Sequence, residues 1–144
     1  MQASESRLLT VIKVKSFQVK TAQRELAAIK VNREAEQGTL SHLTDTQSSA
    51  MSDAFREMKT RAADLQTSRA FIDSLSRKIK NQEEKVVQIE VRENNKREEL
   101  VEKSKSEQML EKLDQKRKDE ASKDVERKAQ RMVDVLAQRM RMGF

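Results

Sequence analysis

The stretch LLTVIKVKSFQVKTAQRELAAIKVNREAEQGTLSHL, running from Leu8 to Leu43, decides the fold. Within it Leu8, Ile12, Lys15, Val19, Ala22, Leu26, Ile29, Arg33, Glu36, Leu40 and Leu43 recur in alternating steps of four and three residues. That 3.5-residue period keeps one narrow stripe turned toward a partner helix along a coiled coil. Eight of the eleven positions are apolar. A stripe this thin builds no globular core alone, so it requires a second helix lying along it.

The partner is legible downstream as Phe55, Met58, Ala62, Leu65, Ser68, Ile72, Leu75, Ile79, Gln82, Val86 and Ile89, with one irregular step at Leu65. Between the two ladders lies the polar, cap-rich run from Thr44 to Asp53. Ser, Thr and Asp compete with helix by bonding to nearby backbone, which predicts a reversal at about residues 46–53. The expected fold is all-α: an elongated two-helix antiparallel coiled coil with an extended C-terminal helix. It forms a single domain over 1–144, with one helix at about 5–45 and a long one at about 54–142. Beyond Ile89 the same positions become Glu93, Lys96, Leu100, Lys103, Glu107 and Leu110. Mostly charged, they predict a helix that runs on with little intramolecular partner, supported by opposite charges one turn apart.

Composition agrees with an extended seam. Of 144 residues, 38% are charged and 3% aromatic, and Trp, Tyr, Cys and Pro are absent, so the usual large contributors to a compact core are missing. Nothing but Gly38 and Gly143 weakens helix by backbone geometry. Absence of cysteine excludes disulfides and thiolate metal sites. Arg7, Lys13 and Lys15 interrupt the apolar residues of the first turns, and no apolar run reaches the roughly 20 residues that span a bilayer. The expectation is a soluble, cytoplasmic protein.

Chemistry is sparse. His42 is the single histidine and completes no zinc site, no Gly-rich phosphate loop exists, and no nucleophile has a base beside it. Carboxylates on exposed helix faces beside Lys and Arg are screened rather than poised for proton transfer. The chain is therefore read as no enzyme, with no cofactor, no metal and no small-molecule ligand. Its net charge is +6, yet acids interleave with bases and no aromatic platform for stacking exists, which argues against nucleic acid.

Two groups of apolar residues exceed the seam. Leu9, Val11, Val14 and Phe17 lie off the first ladder, either as a second apolar face or as scattered surface aliphatics. Near the other terminus Val125, Ala129, Met132, Leu136 and Met140 form a stripe, flanked by Val133, Val135 and Phe144. Arg127, Lys128, Arg131, Arg139 and Arg141 share that end with Asp134. An uncovered apolar stripe among bases predicts a docking surface for an acidic partner, a second copy of the chain being the competing cover.

The run Met109-Leu110-Glu111-Lys112-Leu113-Asp114-Gln115-Lys116-Arg117-Lys118-Asp119-Glu120, followed by Glu126-Arg127-Lys128-Ala129-Gln130, resembles the end of the flagellar export protein FliJ family. Leu8-Leu9-x-Val11-Ile12 with Ala22 and Leu26, and Phe71-Ile72-x-x-Leu75, are similar as well. The resemblance implies a stalk-like coiled coil of type III export. Such a protein binds the hexameric flagellar export ATPase, contacts the membrane export gate and export chaperones, and sits peripheral to the inner membrane at the flagellar base. The ATPase contact would fall on Arg127, Lys128, Arg131, Met132, Leu136 and Met140, with Leu9, Val11, Val14 and Phe17 as further candidates. The alternative is a plain dimeric scaffold or tether, ahead of a basic nucleic-acid-binding coiled coil.

Overall fold

A computed structural model of the chain describes residues 2–56 and 61–143, the side chains of residues 2–4 excepted. It contains helix α1, Gln2–Arg56, and helix α2, Ala62–Arg141. They pair as an antiparallel hairpin coiled coil, in two compact units that each draw on both helices: Thr21–Leu100, and Met1–Lys20 with Val101–Phe144.

In the first of these units, falling numbers on α1 meet rising numbers on α2. Gln47 Nε2 donates to the Ile72 carbonyl at 3.4 Å and to Ser76 Oγ at 2.6 Å. Gln82 Nε2 donates to the Glu36 carbonyl at 2.9 Å, and Gln37 Nε2 to Glu90 Oε1 at 3.2 Å. Farther along, Arg33 pairs with Glu93 at 3.0 Å and Lys96 with Glu25. Between these polar ties Ala22, Leu26, Leu75, Val86 and Ile89 are buried, while Ile29, Leu40, Leu43, Ile72 and Ile79 are half-buried. In the other unit Leu8 and Val19 are buried and Ile12 and Lys15 half-buried.

The reversal lies later than the polar run suggested. Residues 46–53 are helical, and α1 continues to Arg56. Their polar side chains are satisfied without breaking the helix: Thr44 Oγ1 donates to the Leu40 carbonyl at 2.9 Å, Thr46 Oγ1 to that of His42 at 2.8 Å, and Gln47 reaches α2. Ala50 and Ala54 extend the half-buried stripe in the same steps of three and four. Phe55, expected to open the second ladder, is instead an exposed residue at the end of α1, and Met58 falls outside the described residues. The first turn of α2 closes on the Arg61 carbonyl, which accepts from the amides of Asp64 and Leu65.

The second correction concerns α2 beyond Ile89, which was expected to have little or no intramolecular partner. Glu93 is only 3% exposed, and Lys96, Leu100, Lys103, Glu107, Leu110 and Asp114 are half-buried in unbroken heptad steps. The physical reason is a division of labour across the seam. Helix α1 supplies the branched aliphatic side in Leu8, Ile12, Val19, Leu26 and Ile29. Long Lys and Glu side chains on α2 lay their methylenes along such a stripe and carry their charged heads to its margin. The uncovered part of α2 therefore begins after Asp114: from residue 115 to Gly143 every side chain is exposed.

Gly143 ends α2 in the left-handed region at φ 78°, with its amide donating to the Met140 carbonyl. Gly38 is different, a mid-helix glycine with open space where a Cβ would stand. Gly38→Ala should raise stability by roughly 0.5–1 kcal/mol, read as a higher urea midpoint at unchanged slope.

Two seam ion pairs contribute to the response to pH. Hydrogen bonds from Gln82 and then Lys85 hold the Glu36 carboxyl below its usual range, and Glu25 and then Glu99 hold the Lys96 ammonium above its own. Glu36 therefore adds stability above the unfolded carboxylate range and loses it as the pH falls through the folded value. Lys96 adds stability below the unfolded lysine range and loses it as the pH rises through its raised one. Acidification through and below the ordinary carboxylate range should lower the urea midpoint less in Glu36→Gln than in the parent chain.

Candidate docking site

The C-terminal part of α2 presents what the seam lacks, an apolar stripe with no cover. Val125, Met132, Leu136 and Met140 follow one another at helical spacing, and Met132 and Met140 are 69% and 78% exposed. Val133 and Val135 widen the face, and Phe144 lies outside the described residues. One open groove of about 340 Å³ runs along it, lined by Arg131, Met132, Val135, Leu136 and Arg139. Two guanidinium groups two turns apart thus bracket an apolar floor.

The acids nearby do little to neutralise these bases. Asp124 approaches Arg127 at 3.7 Å, and Asp134 accepts from Gln130 Nε2 at 3.1 Å. Lys128, Arg131, Arg139 and Arg141 have no ion-pair partner among the described residues. Unbranched thioethers adapt to irregular surfaces, so the stripe suits a partner that is apolar at its centre and acidic at its edge.

The N-terminal candidates separate into two places. Leu9 lines a groove of about 180 Å³ with Glu5, Asp114, Arg117, Lys118 and Ala121, where α1 and α2 meet. Val11, Val14 and Phe17 are exposed on α1 outside that groove. Met109 and Leu113 on α2, exposed as well, had no site assigned from their sequence. They became visible once the seam was followed past Ile89, because Leu110 and Asp114 then fix which way their neighbours face. The expected seam side chains, by contrast, are all at least half-buried: Leu8, Ile12, Val19, Leu26, Ile29, Leu40, Leu43, Ile72, Leu75, Ile79, Val86 and Ile89. His42 is exposed on α1.

Set against known families, residues 4–142 match the one described as Flagellar FliJ protein. The chain belongs to the FliJ family. Neither the comparison with curated proteins nor that with solved structures gives a match. Membership in the FliJ family implies a flagellar, export-related role, and the match spans both the seam and the exposed C-terminal stripe. Among the described residues no helix is long and apolar enough to cross a membrane.

Proposed function

We propose that this FliJ-family protein is a stalk-like, non-enzymatic component of flagellar type III export that docks on the export ATPase ring through the C-terminal part of α2. The observation that carries the reading is the uncovered stripe of Met132, Leu136 and Met140, bracketed by Arg131 and Arg139, which have no ion-pair partner among the described residues. A stalk acts without catalytic residues: contacts that differ between ring conformations shift their balance by that difference. Contacts with the export gate and with export chaperones, and a place in the cytoplasm against the inner membrane at the flagellar base, complete the proposal. They rest on family membership.

The test is association of the full chain with the purified export ATPase, followed in real time at several salt concentrations. Binding that speeds up as salt falls is expected, because the basic face steers approach. Replacing Arg127, Lys128 and Arg131 together by Gln should slow association by roughly tenfold at low salt and flatten its salt dependence, with a smaller effect on dissociation. No binding at any salt would leave the plain scaffold as the better description.

A further inference from the structure

The hairpin has two flanks, and they are unlike. With Ile12 and Ile72 at a positions, Gln37 and Glu90 are both e residues and bond to each other, and Leu9 and Lys118, also both e, line one groove. The e residues of the two helices therefore share a flank, which leaves the g residues to share the opposite one. In the unit formed by Met1–Lys20 and Val101–Phe144, that opposite flank carries Val11 at g and Val14 at c from α1, with Phe17 at its outer edge. Helix α2 contributes Leu113 at g and Met109 at c, beside the small, half-buried Ser106. Phe17 is 67% exposed and Met109 71%. Five apolar side chains thus straddle the line where two helices meet, a surface shaped for the ridge of a third helix.

We propose that this flank binds an acidic amphipathic helix of a partner protein as the third strand of a local bundle. Charge selects the occupant. Arg7, Lys112 and Lys116 rim the face and have no ion-pair partner among the described residues. A second copy of the chain, with net charge +6, would set like charges against that rim. The site goes beyond the ATPase docking proposed above and does not depend on it, since it uses neither Met132, Leu136 nor Met140.

The probe is a labelled 21-residue synthetic helix with Leu at a and d and Glu at e and g, the Glu residues keeping it from pairing with itself. A sister peptide carries Lys in place of Glu. Fluorescence anisotropy against the full chain should show binding of the Glu peptide that falls at least about tenfold in Val14→Asp/Met109→Asp. It should persist in Met132→Asp/Leu136→Asp/Met140→Asp. If the Asp pair lowers helicity, Val14→Gln/Met109→Gln reads the same flank at smaller cost. Equal binding of the Lys peptide, or loss only in the C-terminal variant, overturns the proposal. So does an oligomer of the parent chain that the flank substitutions dissolve, or tighter capture by phosphatidylserine vesicles that they abolish.

Discussion

Replacing Met132, Leu136 and Met140 together by Asp is expected to weaken binding to the export ATPase at least a hundredfold, about 2.8 kcal/mol. Burial of such side chains contributes about 1.5–3 kcal/mol each as an upper limit, and three carboxylates set into the same contact add desolvation against them. The expected loss is therefore held well below the sum. Thermal unfolding of the same variant decides what the loss means. These three residues are exposed and lie beyond the half-buried positions that end at Asp114, and sites that share no partner behave independently. An unchanged melting transition with lost binding places the docking surface on this stripe. Retained binding would move it elsewhere, to Leu9 and its groove first, and early melting would make the stripe structural.

The second large effect concerns the seam. Arg33→Leu should destabilise the chain by roughly 1.5–3 kcal/mol, read from urea unfolding of the helical signal. Glu93 is almost wholly buried, with Arg33 Nη1 at 3.0 Å from one carboxylate oxygen and Arg97 Nη2 at 3.0 Å from the other. Removing Arg33 leaves one oxygen of a buried charge without its donor. Complete loss of a buried partner typically costs about 3–5 kcal/mol, and Arg97 holds the figure lower. Arg33 also buries its Nε without an acceptor, which subtracts from the net worth of the pair. The reverse substitution should behave differently. Glu93→Leu offers the aliphatic side of α1 a matching surface and lets a partly exposed guanidinium turn to water, so it is expected to be neutral or stabilising. Equal destabilisation by the two changes would contradict this account.

The same residues explain what could and could not be read beforehand. Spacing alone located the stripe on α1, and each of its members is at least half-buried. Spacing also pointed to Glu93, Lys96, Lys103 and Glu107, but their charge concealed that they were packed, because a single helix does not reveal that its partner supplies most of the branched aliphatics there. The turn was misplaced for a related reason. Thr44 and Thr46 bond to carbonyls one turn back, so a polar run that reads as a breaker is content inside a helix. The exposed C-terminal stripe was legible from its apolar spacing and surplus of bases. The flank of Val11, Val14, Met109 and Leu113 was not, since its halves come from distant segments and meet only through the register.

The unequal halves of the seam also govern what happens while the chain is being made. Helix α1 leaves the ribosome first, its aliphatic stripe bare. Covering residues arrive in reverse: those that meet Gln47 come soon after α1 ends, whereas Asp114 and Arg117, beside Leu9, come last. Each new contact closes little extra chain, so the pair can zip outward from the end where α1 gives way to α2. At roughly 5–20 residues per second, Leu9 waits roughly 5–20 s for a cover about a hundred residues downstream. A ribosome stalled during that interval displays Leu8, Ile12 and Val19 to any neighbouring nascent chain. The stretch of α2 that later covers them, with Glu93, Lys96, Lys103 and Glu107 along its seam, carries far less along that seam to stick to.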